Sequence, residues 1–371
     1  MNQDPAKLLD QAIILLQTGQ ADGALGLAQE ALDNAPANSS TQLSALNLVA
    51  EIYVELGEID VAREHFIRAV EMDPTGAIPD SQGGGAEKFL WLAQLSENGG
   101  SDSVQWFEKG VSSLRNSIQQ LENNPGPQEA IELEEKKRKM VNALCGVAEI
   151  YMTDLSWEED AEGRCESLIT EALSVNSNIP EVLQTLASIR ISQLRTDEAR
   201  TALTRSLDLW KDLPPEDSLV PDFATKISLS RLLMEVAMEL EALEVLERLI
   251  LEDDQSVEAW YLGGWCLYLL AEKQQTPKDT EVEASESPES RRQASLVASR
   301  EWLKQGLSLY GILQYEDERL RDHANELVQE MNKELGEDME DDEAEDGEDG
   351  EEEWDDDIGS ESDGDQEMAD S

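Results

Sequence analysis

Apolar residues recur at helical spacing along roughly the first 335 positions, in paired segments of about 34 residues. The clearest pair spans residues 43–76. Leu46, Val49, Ala50 and Tyr53 mark one face of a first helix, and Ala62, Phe66 and Ala69 mark a second. Gly57 lies between them, where a residue without Cβ takes a left-handed cap at little cost, and Pro74 stops the second helix. Ala50 and Ala62 let two antiparallel helices approach closely while larger residues fill the seam. One such unit cannot bury its own apolar face, so stacked copies are required.

The copies follow. Leu8, Ala12, Leu15, Gly19, Ala24, Ala28, Ala31 and Pro36 repeat the same offsets before it. Residues 77–85, ending in Gly83-Gly84-Gly85, predict a loop without regular structure. A degenerate third unit covers about 86–122, with Leu90, Trp91, Ala93 and Leu95, a turn at Asn98-Gly99-Gly100, and then Trp106, Phe107, Val111, Leu114 and Ile118. A fourth starts near Val141 and carries a lengthened turn, LSWEEDA, before Cys165, Ile169 and Ala172. Two more follow around Leu183 to Leu207 and Leu229 to Leu249, separated by the proline-rich loop 213–222. The seventh opens with Trp260-Tyr261-Leu262-Gly263-Gly264, is interrupted by a Ser/Glu/Thr-rich insert at 272–291 expected to be mobile, and resumes at Ala298 and Trp302. An amphipathic segment at 315–335, with Leu320, Ala324, Leu327 and Met331, predicts a capping helix over the apolar surface around Ala298 and Trp302.

The offsets of small, aromatic and proline residues resemble the tetratricopeptide repeat (TPR), and Trp260 to Leu267 is close to the W-x2-L-G-x2-Y opening of that pattern. The expected fold is an all-α TPR-like superhelix of about seven helix pairs plus a cap over residues 1–335. Residues 336–371 form the other part: they hold 21 Asp or Glu and no Lys or Arg, and self-repulsion predicts a disordered polyacidic tail.

Charge changes the picture more than any motif. The chain of 371 residues carries a formal net charge of −54, which argues against direct nucleic-acid or anionic-membrane binding and for a basic partner. No apolar run is long enough to suggest a membrane span, and the N-terminus lacks the basic start and apolar core of a secretion signal. Cys145, Cys165 and Cys266 make no CxxC pair, so no disulfide framework or metal site is indicated and a reducing compartment is expected. His65 and His323 stand apart in sequence, and no Gly-rich phosphate loop, HExxH or nucleophile elbow is present. The expectation is a non-enzyme without cofactor or metal, acting as a monomer.

In TPR arrays the first helices line a concave groove. Carried over from that family, the groove-facing positions are Asn47, Glu51 and Val54; Asn142, Cys145, Glu149 and Met152; Glu181, Gln184, Ser188 and Ile191; Ile227, Arg231 and Met234; and Glu258, Tyr261, Trp265 and Tyr268. The mixture of carboxylates with apolar and aromatic anchors suits a segment alternating Lys/Arg with apolar residues. A solvated helix face is the competing reading for any single Glu. The clamp with which other TPR proteins hold acidic chaperone C-termini does not fit: Lys7 is followed by Gln11 instead of Asn, and the third unit lacks a Lys-x3-Arg pair. The run Lys136-Lys137-Arg138-Lys139 is either a nuclear import signal or, following Glu132, Glu134 and Glu135, a charged solvent face. Ser360 and Ser362, each with Asp three residues on, fit acidophilic kinases.

Four stretches carry a more specific resemblance: WLAQLSE (91–97) with Trp106-Phe107, DLSWEEDAEGRCESLITEAL (154–173), EAWYLGGWCLYLL (258–270) and the acidic C-terminus. With them the chain resembles the fungal TPR-type chaperones dedicated to assembling ribosomal protein L-four into the large subunit. That resemblance implies shielding of the client's long basic internal loop, escort from cytoplasm to nucleus for pre-60S assembly, and release when RNA and neighbouring proteins compete. The rivals are an acidic TPR histone chaperone, which typically carries its long acidic block inside a repeat, and a scaffold subunit of a larger complex.

Overall fold

The computed structural model describes residues 4–123, 126–274 and 287–336, and among them finds fifteen α-helices, one short 3-10 turn and no strand. The centre of the insert and the acidic tail, with Ser360 and Ser362, lie outside the described residues.

The helices pair in chain order: α1 (Pro5–Gln17) with α2 (Ala21–Asn34), α3 (Ser40–Glu55) with α4 (Ile59–Met72), and α5 (Glu87–Gln94) with α6 (Gly100–Asn123). Then come α7 (Pro127–Met152) with α8 (Ala161–Val175), α9 (Pro180–Ser192) with α10 (Thr196–Asp208), α11 (Phe223–Glu235) with α12 (Glu239–Glu252), and α13 (Val257–Gln274) with α14 (Pro288–Leu313). A last helix, α15 (Glu318–Leu335), closes the stack. Several helices begin as their sequences dictate. Ser39, Asp222, Ser287 and Asp317 each accept backbone N–H groups of the first turn, satisfying donors that no helical carbonyl can reach.

Alanines make the close approach possible. Ala12, Ala24, Ala28, Ala50, Ala62, Ala148, Ala172, Ala187, Ala199 and Ala242 are all fully buried at 0% exposure, so the core continues from pair to pair without large side chains at the crossings. Phe66, also fully buried, bridges the second and third pairs beside Ala50, Ala62 and Leu92. The Gly263-Gly264 pair serves the same end at the seventh unit. A Cβ on Gly264 would come within 2.9 Å of the Leu303 side chain, and Trp302 lies against Gly263.

The units depart from the sequence expectation in three places. The fourth unit's first helix begins at Pro127, well before Val141, so the basic run lies inside a long helix. Both ends of the 272–291 insert are helical, since α13 runs on to Gln274 and α14 starts at Pro288. The cap is present, but Leu327, Met331 and Ala324 of α15 pack with Ala271, Leu296 and Leu303, flanked by Tyr261, Trp265 and Tyr268. Trp302 is engaged elsewhere, edge-on to Trp260 with ring centroids 4.8 Å apart. It packs toward Ala259 and Leu262, because the glycine pair draws α14 onto that side of α13.

A central groove between two closed ends

Side chains of α5, α7, α9 and α11, with Phe107 of α6, line a groove of about 1220 Å³. Of the candidate residues, Asn142, Glu149, Met152 and Glu181 meet here, with Cys145, Gln184, Ser188, Ile191 and Arg231 among them. Leu90, Trp91 and Phe107 add an apolar wall; Phe107 is also part of the buried core, with Leu90 packed against it. Leu90 and Trp91 are adjacent on a helix of eight residues, so their side chains point about 100° apart, one toward the core under α6 and the other toward the Phe66 cluster.

The groove carries an excess of carboxylate. Its acids are Glu87, Glu149, Glu181 and Glu235, and its cations are Lys139 and Arg231. Both cations are already paired, Lys139 with Glu87 and with Glu135 at 2.8 Å, and Arg231 with Glu258. Burial works against charge on Lys139, but its hydrogen bonds to Glu135 and Glu87 outweigh that and hold its pKa above the usual lysine value. Burial raises the Glu149 carboxyl pKa. It also pushes the Cys145 thiol up to about 12, against a hydrogen bond with Thr185, so this thiol is inert as a nucleophile.

The N-terminal end of the concave side is closed by the chain itself. Asn47 Nδ2 donates to Gly83 O at 2.7 Å, so this candidate contact is used internally. The segment expected to lack regular structure contains a 3-10 turn at Asp80–Gln82 and is fixed at several points. Asp73 accepts from Ala77 N–H at 2.9 Å and from Lys88 Nζ at 2.8 Å, and Lys88 also donates to Gly85 O at 2.7 Å. Gly83 has φ +77° and a Cβ there would lie 2.6 Å from Ser44 N, so only glycine fits against α3. Glu51 does not line the groove. Burial, then repulsion from Glu87, raises its carboxyl to about 7, with Lys139 opposing. Val54 packs on the Ala50, Phe66 and Leu92 cluster.

The C-terminal end is closed by α15. Tyr261 Oη and His323 Nδ1 are 2.8 Å apart, and Trp265 stands edge-on to the His323 ring with centroids at 5.2 Å. Tyr268 donates to Glu330 at 3.0 Å, and burial together with Glu330 pushes its phenol up to about 12. Glu258 is held by Arg231. These aromatics are therefore not free anchors: the cap uses the face that the repeat pattern assigns to a ligand. Met234 is likewise no groove residue; at 8% exposure it belongs to the core with Leu233 and Leu246.

The four side chains of the basic run on α7 are engaged in ion pairs. Lys136 is buried and pairs with Asp80 at 2.5 Å and Glu132 at 3.6 Å, and Lys137 pairs with Glu122 and Glu134. Arg138 reaches Glu181 and Ser218 O, and Lys139 is paired as described. Among the described residues no cluster of metal-ligating side chains occurs, and no helix is long and apolar enough to cross a membrane.

The tetratricopeptide-repeat family model matches residues 9–77. Along its whole length the chain is 67% identical to a protein of Emericella nidulans named "Probable assembly chaperone of rpl4", covering 92% of that protein. The chain belongs to that family of assembly chaperones. A Schizosaccharomyces pombe member with the same name is 35% identical over 90% of this chain and 92% of its own. The solved structure "Assembly Chaperone of RpL4 (Acl4) (Residues 1-338)" is 53% identical, covers 74% of this chain and 99% of that one, and superposes with a TM-score of 0.69. The Cut9 and Hcn1 complex of the APC/C, at 12% identity and a TM-score of 0.52, shares the fold alone. The family resemblance and the all-α TPR superhelix read from the sequence are thus confirmed.

Proposed function

We propose that this protein is a dedicated, non-catalytic assembly chaperone of rpl4, and that it holds a basic internal segment of that client in the groove between α5 and α11. The 67% identity along the whole chain to a relative of that name carries the reading. The groove supports it, because its carboxylates outnumber its cations and both cations are internally paired. A bound Lys or Arg would find Glu149 and Glu181 beside an apolar wall of Leu90, Trp91 and Phe107. The net charge of −54 draws a basic client from a distance. That attraction is screened beyond ~8 Å at physiological salt, so the complex forms fast and yields to ribosomal RNA competing for the same cations. Action in both cytoplasm and nucleus is part of this reading.

Affinity capture from growing cells tests it. Near-stoichiometric recovery of rpl4 is the expected result. Recovery of histones, or of a stable multi-subunit complex without rpl4, would replace this function with one of its rivals.

A further inference from the structure

Of the buried side-chain atoms without a hydrogen-bond partner among the described residues, two line the groove: Glu181 Oε2 and Gln184 Nε2. Gln184 is only 6% exposed, and a donor so buried is rarely left unpaired in a folded protein. The same molecule shows what pairs with an amide in that setting. On α3 the Asn47 amide donates, at 2.7 Å, to the carbonyl of Gly83, which caps the 3-10 turn of the glycine-rich segment packed on α3. Gln184 presents the same chemical group from α9, and among the described residues nothing pairs with its Nε2.

We infer that Gln184 is a main-chain clamp: its amide pairs with one peptide unit of a client segment that crosses the groove in an extended conformation, while the neighbouring Glu181 and Glu149 take up a Lys or Arg side chain next to that unit. The amide carries both a donor and an acceptor, the complement of a peptide carbonyl and N–H exposed in an extended strand and consumed in a helix. Charge alone would accept any polycation. The clamp adds a requirement for extended backbone at one position, with a cation beside it and an apolar residue within reach of Phe107 and Leu90. This rests on the proposed function, since it supplies the specificity of that same groove.

The test uses the full-length protein and synthetic peptides tiling the basic internal loop of rpl4, with affinities measured by titration calorimetry at low and physiological salt. Gln184→Met keeps the volume and removes the amide, and Gln184→Glu adds negative charge but loses the donor. Both variants are expected to weaken the best-binding peptide by about tenfold at both salt concentrations. The Gln184→Met protein should melt no lower than the parent, because it loses only an unpaired donor. Replacing single peptide amides by esters should weaken binding to the parent at one position and leave binding to Gln184→Met unchanged at that position. If Gln184→Glu binds more tightly, or no ester position matters, the clamp is wrong. Should Glu149→Gln with Glu181→Gln still weaken binding in that case, the groove reading stands without it. If neither set of variants alters affinity, the groove reading falls as well.

Discussion

Helices α3 and α9 both turn an amide toward the concave side, and the two amides meet opposite fates. Asn47 Nδ2 is bonded to Gly83 of the chain's own loop, whereas Gln184 Nε2 has no partner among the described residues. The same contrast holds between the ends of the superhelix and its middle. At one end a glycine-rich strap, pinned by Asp73 and Lys88, packs on α3. At the other, α15 lies against Tyr261, Trp265 and Tyr268. The stretch from α5 to α11 is open as a groove. Repeat position decides which way a side chain points, and what the chain inserts between repeats decides whether a ligand can reach it. On the proposed reading the client site is short and central, in place of a groove along the full length.

The strap gives the largest expected effect on this contrast. The Lys88 side chain is 0% exposed and its charge is balanced by Asp73. Burial lowers the Lys88 pKa and the Asp73 partner resists that shift. Asp73→Ala would strand a buried ammonium and release the hydrogen bond to Ala77, and is expected to cost about 3–5 kcal/mol in denaturant unfolding. Replacing both partners by apolar residues should cost less than the single change. A loss below about 1 kcal/mol for Asp73→Ala would mean that the strap is loosely held.

Next in size is a pH effect from Glu51. Its folded-state pKa of about 7 lies above the ordinary 4.5, so the folded protein keeps this proton longer than the unfolded one. Stability from this group is therefore complete below about 4.5 and is lost as pH rises through about 7, by up to about 3 kcal/mol. Glu51→Gln should be increasingly more stable than the parent across that window. Urea unfolding at several pH values would show it, and parallel curves for the two proteins would remove Glu51 from the account.

At the other end, Trp265→Ala tests whether the aromatic face is structural. Half-buried against His323, this indole should cost roughly 2 kcal/mol of stability when truncated, less than a fully buried Trp. Client-peptide affinity should stay within about twofold. A strong loss of affinity in a protein that melts like the parent would restore Trp265 to the binding surface.

Much of the fold was legible because helical periodicity and small-residue spacing are local signals. Residues 43–76 alone defined the unit, and the lengthened turn at LSWEEDA, the cap helix and the Gly57 turn lie where their residues place them. The groove was legible only in its centre. Asn142, Glu149, Met152 and Glu181 could be carried over because all four line the one groove on α7 and α9. Asn47, Tyr261, Trp265 and Tyr268 fit the same pattern equally well, but their availability depends on residues far off in sequence, Gly83, His323 and Glu330. The ion pairing of residues 136–139 is equally non-local: Lys136 depends on Asp80, Lys137 on Glu122, and Lys139 on Glu87.

The smallest expected effect is the one that separates the middle from the ends by binding alone. Glu149→Gln with Glu181→Gln keeps shape and removes two charges from the open groove. Neither carboxylate is central to the fold: burial already raises the Glu149 pKa, and Glu181 has one oxygen unpaired and the other 3.8 Å from Arg138. Neutralising them should leave the melting temperature unchanged or slightly higher, since a desolvated charge disfavours the folded state. Affinity for a basic client peptide should fall by about tenfold, close to 1.4 kcal/mol, at low salt and by less as salt rises. Glu51→Gln serves as the control, a glutamate from the equivalent repeat position that is enclosed beside Glu87 and Lys139 and should leave affinity unchanged. If Glu51→Gln weakens the peptide as much as the groove pair does, the ligand runs along the whole concave face, and the strap must move aside to admit it.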